Sequence, residues 1–230
     1  MSRPDEPVRT TPVQTAAPGG PGPGREPSDG AGLLAEPMRS RWSPSVFDPE
    51  HVVDDDQVAV LLQAARWSPS LGNTQPWSYV VAPRGSAAHD VAVRHLTRGN
   101  ATWVPRASLL LLGAVQVGPG PDGQDVPSPD YARYDLGQAT AHLTLQAQAM
   151  GLHTHQYAGY DAAATAADLG VPDHVVLMAG VAIGVPGDPA LATERDREKQ
   201  ARPRARRPLA TYAHSERWGL PWGGLGQSVP

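Results

Sequence analysis

The sequence predicts a domain that contains both α-helices and buried β-strands. Apolar residues recur every three or four positions from Val58, the spacing of an amphipathic helix, which Asp54 or Asp55 can cap and which ends near Trp67. The continuous apolar run 108–116 is typical of a strand that is buried on both faces. The longest helix is predicted over 131–150. Gly151 is expected to end it, because a left-handed residue, usually glycine, commonly closes a helix.

Shorter elements are predicted between and after these three. Residues 77–82 form an apolar run of strand length, and residues 86–98 are expected to form a mostly polar surface helix. A small helix over 161–169 begins after an aspartate cap and is closed by Gly170. Residues 174–184 are again continuously apolar, which predicts another buried strand.

Composition limits the class of protein. The chain has 230 residues, of which 40% are hydrophobic and 18% charged, so one domain with a substantial core is expected. It contains no cysteine, which excludes disulfides, thiolate catalysis and cysteine-bound metals. A net charge of −4 gives no field that recruits nucleic acid or an anionic membrane. No apolar run could span a bilayer and no apolar signal core is visible, so a cytoplasmic location is expected.

The N-terminal residues 1–37 differ from the remainder of the chain. They include fourteen Pro or Gly and almost no large apolar side chains. Such a segment cannot offset its ordering entropy by burial, so it is expected to be a disordered leader.

The loop from Trp67 to Trp77, with the sequence WSPSLGNTQPW, is the main candidate for a binding site. Pro69 and Pro76 fix φ, and Gly72 permits a left-handed turn. The remaining residues offer backbone N–H, hydroxyl and amide groups to the edge of a flat ligand. An ordinary connection between a helix and a strand has a similar composition, so that alternative stays open at this point.

This loop resembles the Pro-Ser-x-x-Asn-x-Gln-Pro-Trp motif of the nitroreductase family of FMN oxidoreductases. The matching residues are Pro69, Ser70, Asn73, Gln75, Pro76 and Trp77. The resemblance extends over about 38–222 and leaves 223–230 as a flexible tail. It implies an α+β, three-layer fold, in which a mixed, mainly antiparallel sheet is flanked by helices. It also implies an intertwined homodimer with FMN at the interface between the two subunits.

The resemblance assigns the FMN phosphate to two distant segments. The family's Arg-x-Ser run, which holds the phosphate and the pyrimidine edge, falls on Arg41, Trp42 and Ser43. The Arg-x-Arg pair that completes the phosphate site falls on Arg204 and Arg206. Guanidinium and hydroxyl groups both donate to phosphate oxygens, so the assignment is chemically sensible. Without the resemblance, the basic run over 194–207 would be a solvated, charged linker or an RNA-binding patch, and the lack of interleaved aromatic residues disfavours the patch.

The other implied contacts surround the flavin ring. Asn100 binds its polar edge, and the backbone N–H of Gly159 donates to flavin N5. The other subunit contributes the loop that contains Pro69, Ser70, Leu71 and Asn73. The family positions implied to lie against the flavin also include Ser45, Tyr157 and Ala158. Ser45 replaces a cation that commonly contacts the pyrimidine carbonyl, and Ala158 replaces an acidic residue found in many members.

Two aromatic residues and two histidines have alternative interpretations. Trp103 or Tyr157 could stack on a flat substrate, although a buried aromatic is the commoner outcome. His153 and His155 point the same way on a strand, but no third ligand cluster accompanies them, so no metal is expected.

The family's pattern implies ping-pong, two-electron reduction of a nitroaromatic, quinone or similar flat acceptor by NAD(P)H. No side-chain acid, base or nucleophile is required, because the cofactor carries the chemistry. Two alternatives stay open. One is a relative with other flavin chemistry, such as a dehydrogenase of a small natural product or an enzyme that fragments its own FMN. The other is a flavin-binding protein that does not turn over.

Overall fold

The computed structural model describes residues 31–121, 123, 126–202 and 204–226, and a four-stranded sheet lies at its centre. Most of the predicted leader and the last four residues of the predicted tail therefore lie outside the described residues. The strands lie in the order β1-β2-β4-β3, and each neighbouring pair is antiparallel. Their bounds are Trp77–Pro83 for β1, Leu109–Gln116 for β2, His153–Tyr157 for β3 and Val175–Gly184 for β4.

Seven α-helices accompany the sheet in the part of the chain that the structure describes. They are α1 (Glu36–Ser40), α2 (Asp55–Arg66), α3 (Ala87–Arg94), α4 (Arg98–Ala101), α5 (Pro129–Ala149), α6 (Ala162–Leu169) and α7 (Glu194–Ala201). None of these helices is both long and apolar enough to cross a membrane.

Local sequence explains how two of the predicted helices begin and end. The Asp54 side chain accepts a hydrogen bond from the backbone of Gln57, whose side chain accepts from the backbone of Asp54 in return. This reciprocal capping box confirms the predicted start of α2. The Asp161 side chain caps α6 by accepting from the Ala164 N–H, and Gly170 closes that helix with a left-handed φ of 67°.

The two larger clusters of the core lie on opposite faces of the sheet. On one face, α2 and α5 pack through Leu61 and Leu143 against Leu111 of β2. On the other face, Trp103 and Leu112 belong to a second cluster, against which residues of α3 and α6 pack. Neighbouring residues of β2 thus point into different clusters, so the fold has helix, sheet and helix layers, as expected for α+β.

Three helical segments differ from the sequence-based expectation. The predicted helix over 86–98 is two helices, because Leu96 between them forms a β-bridge with Tyr160. The first half of the charged run 194–207 is helical, and Thr193 caps that helix. At the N-terminus, α1 begins at Glu36, within the range predicted as leader, after a 3₁₀ turn at residues 31–33.

Candidate functional site

Three of the predicted phosphate ligands line one cavity. Arg41, Arg204 and Arg206 come together there although the first is more than 160 positions from the others in sequence. We call this the arginine cavity; its volume is about 320 Å³. Its lining residues are Arg41, Trp42, Ser43, Lys199, Arg202, Arg204, Ala205 and Arg206.

The three guanidinium groups in this cavity repel one another. Burial lowers the pKa of Arg41, and the positive charges of Arg204 and Arg206 lower it further. Burial and Arg206 likewise lower the pKa of Arg204. Within the described residues, no carboxylate lies within 4 Å of any of the three. A bound anion would relieve this repulsion, so the cavity has the electrostatics of an anion site.

Hydrogen bonds hold the two cationic segments together. Arg204 Nη1 donates to the carbonyl of Arg39 over 2.8 Å, and the backbone N–H of Ser45 donates to Gln200 Oε1 over 3.1 Å. Ser45 is only 3% exposed and does not line the cavity. The Ser45 backbone therefore joins two segments, and its assignment as a flavin contact stays a prediction.

A second cavity, of about 470 Å³, lies between α5 and β3. Arg41 and Ser43 line both cavities and therefore connect them. Its other lining residues are Met38, Ala141, Thr144, Leu145, Thr154, His155 and Gln156. A strand rises about 3.3 Å per residue, so Gly159 lies at most about 10 Å along the chain from Gln156. The two connected cavities thus extend from the arginines to within about 10 Å along the chain of the predicted N5 contact.

Asn100 and Gly159 contact each other directly. Asn100 Nδ2 donates to the Gly159 carbonyl over 3.0 Å, and Asn100 Oδ1 accepts from Trp103 Nε1 over 3.2 Å. The Gly159 carbonyl also accepts from the Thr97 backbone. A Cβ at Gly159 would lie 2.6 Å from Asn100 Nδ2 and 2.7 Å from Thr97 Oγ1, so any other residue there must displace these two side chains. The contacts that hold Gly159 use its carbonyl; among the described residues, no acceptor is seen for its N–H.

The structure does not support substrate stacking by either of the two candidate aromatics. Trp103 is 2% exposed, and its ring stacks on His155 at 4.1 Å and packs against Phe47. Tyr157 is 5% exposed and points toward Gly180 in the sheet, where burial raises the pKa of its hydroxyl. Both rings belong to the core because protein atoms already cover them.

The loop from Trp67 to Trp77 has an unusual backbone. Gly72, Asn73 and Gln75 all have φ between 48° and 60°, the left-handed region that disfavours residues with a Cβ. The Gln75 N–H donates to Ser70 Oγ, and the Leu71 N–H donates to Asp135 Oδ2, both over 3.0 Å. The loop is therefore held in a defined shape, and Leu71 remains 41% exposed at its tip.

Sequence reasoning missed Asp135 of α5. This carboxylate is 3% exposed and also accepts from Gln138 Nε2 over 3.2 Å. A charged residue inside a helix that is buried nearly all round needs a partner. The position of Asp135 in such a helix could therefore have predicted a contact for its carboxylate. Sequence reasoning also missed the hydrogen bond between buried Ser68 and the His142 ring.

One chain does not bring all the predicted ligands together. The loop is attached at Asp135, near the start of α5, whereas Thr144 of the same helix lines the second cavity. At a rise of 1.5 Å per residue these positions are about 14 Å apart along the axis. The predicted ligands Pro69, Ser70, Leu71 and Asn73 therefore form a group separate from the arginine cavity.

The two histidines of β3 make different contacts. The His153 ring packs edge-on against Trp42, and the His155 ring stacks on Trp103 and has its Nδ1 2.8 Å from the Pro44 carbonyl. Among the residues that the structure describes, no group of three or more His, Asp or Glu is arranged to hold a metal.

Comparison with known proteins identifies the family. The sequence model of the nitroreductase family matches residues 38–100. An uncharacterised 15.4 kDa protein of Mycolicibacterium smegmatis is 41% identical over 126 residues, which are 55% of this chain and 81% of that protein. A solved structure of an oxidoreductase containing FMN is 31% identical, with a TM-score of 0.73 over 81% of this chain and 93% of that chain.

A more distant structure has the same fold. It comes from Staphylococcus epidermidis and carries the provisional name NAD(P)H:FMN oxidoreductase. It is 18% identical, with a TM-score of 0.64 over 78% of this chain and 93% of its own. The sequence match, the 31% identical structure and the shared three-layer fold lead to one conclusion: this chain belongs to the nitroreductase family.

Proposed function

We propose that this protein is an FMN-dependent oxidoreductase that uses NAD(P)H to reduce a nitroaromatic, quinone or similar flat acceptor. One observation carries the proposal: three guanidinium groups converge on one cavity without a carboxylate near them in the described part of the chain. A phosphate monoester bears about 1.5 to 2 negative charges at neutral pH, which fits such a site. The 31% identical relative contains FMN, and that similarity supports the same cofactor here.

The residues proposed to hold the cofactor would contact its phosphate and its ring. Arg41, Arg204 and Arg206 would hold the phosphate through charge-assisted hydrogen bonds, each contributing about 1.5–3 kcal/mol. Ser43, 3.4 Å from Arg41 Nη1, would add a hydroxyl donor. The N–H of Gly159, fixed through its carbonyl by Asn100, would donate at N5 of the ring.

When bound, FMN supplies two-electron hydride acceptance and donation, and the protein's task is to orient it and exclude competing reactions. No side chain near the proposed ring position is needed as an acid or base. The donor and the acceptor would occupy the same site in turn, which gives ping-pong kinetics. Because the loop with Asn73 is separate from the arginine cavity in one chain, we propose that it reaches the cofactor of a second subunit in a homodimer.

Flavin content and anaerobic reduction test this function. The purified protein should be yellow and retain about one FMN per chain through dialysis. Anaerobic mixing with NADPH should bleach the flavin rapidly, and a quinone or nitroaromatic compound should restore the colour. Steady-state rates should give parallel double-reciprocal lines. A colourless protein that ignores added FMN would contradict the proposal.

Ser45 is the departure that keeps a second candidate open. Where the resemblance implies a cation beside the pyrimidine carbonyl, this chain has a buried serine whose N–H is bonded to Gln200. A cation there would help stabilise negative charge on a reduced ring, so its absence should change the reduction potential of the flavin. The second candidate is therefore a family relative with other flavin chemistry, such as oxidation of a small natural product. Slow bleaching by NADPH together with rapid bleaching by an oxidisable substrate would select this alternative, and no turnover with either would indicate a flavin-binding protein.

A further inference from the structure

Trp103 is a buried aromatic residue whose one polar group has a specific partner. The residue is 2% exposed, and its Nε1 donates to Asn100 Oδ1 over 3.2 Å. An indole nitrogen can only donate, so the Asn100 side chain must turn its oxygen toward it. The N–H₂ group of Asn100 then points away from the indole, and it donates to the Gly159 carbonyl over 3.0 Å. Trp103 thus determines which end of this amide faces Gly159.

Local helical geometry brings these groups together. Thr97, Asn100 and Trp103 are three positions apart, beginning at the residue that precedes α4, and residues at this spacing lie on one face of a helix. The Asn100 N–H donates to the Thr97 carbonyl over 2.9 Å, and the Thr97 N–H donates to the Gly159 carbonyl, also over 2.9 Å. A carbonyl oxygen has two lone pairs, so the Gly159 carbonyl is held by the backbone at the start of α4 and by the amide that Trp103 orients.

Rings from other parts of the core hold Trp103 in turn. It stacks on His155 with the ring centroids 4.1 Å apart, and it meets Tyr157 edge-on with the centroids 6.0 Å apart. Phe47 packs against it with the centroids 6.3 Å apart. A side chain in a close-packed interior has little freedom to turn, so its N–H keeps one direction. Because His155 lines the cavity between α5 and β3, the Trp103 ring also fixes Asn100 relative to a wall of that cavity.

Resting on the function proposed above, we propose that Trp103 is a positioning residue. Its indole N–H orients the Asn100 amide, and that amide holds the Gly159 backbone where the Gly159 N–H meets flavin N5. An N–H donor stabilises the oxidised ring, whose N5 is an acceptor, so a loosened Gly159 makes the bound FMN easier to reduce. Trp103 acts only through Asn100 in this role, so the effects of losing the two residues are not additive.

A double-mutant cycle separates this role from simple packing. The variants are Trp103→Phe, which removes the indole N–H and keeps an aromatic ring, Asn100→Ala, and the two changes combined. The matched control is Trp218→Phe, which removes the indole N–H of a residue that is 90% exposed. Two quantities are measured. The first is hydrogen exchange at the Thr97 N–H, by NMR on the full chain without FMN, and the second is the midpoint potential of FMN in the loaded protein.

Each single variant should speed exchange at the Thr97 N–H by about 2- to 10-fold, the effect of one net hydrogen bond, and should raise the midpoint potential. The combined variant should match Asn100→Ala in both quantities, because the indole N–H then has no amide to orient. Trp218→Phe should behave like the parent. The role is overturned if Trp103→Phe leaves both quantities unchanged, or if it changes them equally with and without Asn100.

Asn100→Asp tests the same contact without a change in the core, because Asn100 is only half-buried. A carboxylate can accept from the indole but cannot donate to Gly159. The NMR signal of the Trp103 indole proton should therefore move downfield, since hydrogen bonds to a charged acceptor are shorter, while exchange at the Thr97 N–H becomes faster. An unmoved indole signal would overturn the role even if Trp103→Phe does not fold. A parent protein that binds no FMN contradicts the proposed function instead, because the exchange and the indole signal are measured without the cofactor.

Discussion

Arg206 lies close to the guanidinium groups of Arg41 and Arg204 and repels them. This repulsion determines how the loss of Arg206 should affect folding and ligand binding. Without a bound anion, Arg206→Ala removes one source of repulsion from Arg41 and Arg204. With a phosphate in the cavity, the same change removes a charge-assisted bond of about 1.5–3 kcal/mol. The residue should therefore matter for ligand retention much more than for folding.

The Arg206→Ala variant should bind FMN about 10- to 100-fold more weakly while its melting temperature without FMN stays near that of the parent. Equilibrium dialysis with FMN fluorescence measures the first quantity, and calorimetry of the flavin-free protein measures the second. Arg195→Ala, outside the cavity, is the control. An Arg206→Ala variant that keeps FMN through dialysis would show that the phosphate is held elsewhere.

Gly159 is restricted by contact distances and not by backbone conformation. Its Cβ would lie less than 3 Å from Asn100 and Thr97, so Gly159→Ala must displace the two residues that hold its carbonyl. We expect a loss of about 1–3 kcal/mol in the free energy of unfolding, measured in urea, and weaker FMN binding. Gly99→Ala is the matched control, because nothing lies within 4 Å of the added carbon. Equal stability of the two variants would contradict the close packing at Gly159.

The buried ring of His153 should make the free energy of unfolding depend on pH. The ring is buried, its Nδ1 has no hydrogen-bond partner in the described residues, and burial lowers its pKa to about 4. The unfolded chain binds the proton more readily, near pH 6.5, so stability present above that pH is lost as the pH falls toward 4. This loss should be about 3 kcal/mol.

In His153→Phe, the free energy of unfolding should fall less between pH 7 and pH 4.5 than it does in the parent. Phenylalanine keeps the edge-on contact with Trp42 and cannot take up a proton. Urea unfolding at several pH values provides the comparison. Parallel pH profiles would mean that His153 does not titrate in this range.

At the scale of elements, features that depend on near neighbours in sequence could be predicted, whereas features that depend on distant contacts could not. The capping residue Asp54 and the continuous run of β2 were sufficient to predict α2 and a buried strand, because both signals involve near neighbours. The division of 86–98 into α3 and α4 depends on a bridge to Tyr160, 64 positions after Leu96, and no local pattern indicates it. The hydrogen bond between Leu71 and Asp135 was not predicted either, because these residues are also far apart in sequence.

The loop that follows α2 should depend on Asp135. Asp135→Asn keeps the size of the side chain but presents an N–H₂ group to one of two donors, the Leu71 N–H or Gln138 Nε2. An unsatisfied buried donor costs about 1–3 kcal/mol, and the left-handed residues of the loop would lose their anchor. Hydrogen exchange should become faster at 70–75. Asp130→Asn, at an exposed position in the first turn of α5, should leave that exchange unchanged. Unaltered exchange in Asp135→Asn would mean that the loop holds its shape without this carboxylate.

At the scale of the whole molecule, one chain provides two separate parts of the proposed site. The arginine cavity and the cavity between α5 and β3 share Arg41 and Ser43 and form one of these parts. The anchored loop and its exposed tip, Leu71, lie toward the other end of α5. Tyr131 and Tyr134 at that end of the helix are 58% and 65% exposed. Exposed aromatic and aliphatic side chains on a rigid support are typical of a surface that binds another protein, and a second copy of this chain would also complete the site.

If two copies share the site, FMN retention must depend on protein concentration. Tyr134→Glu places a charge on the exposed face of α5, so the variant should be a monomer by light scattering and should release FMN. Its arginine cavity is unchanged, and so any affinity that remains measures the contribution of the residues that one chain supplies. The parent protein should release FMN on dilution over the same range in which the dimer dissociates. A monomeric Tyr134→Glu variant that binds FMN as tightly as the parent would mean that one chain completes the site, with the loop performing another task.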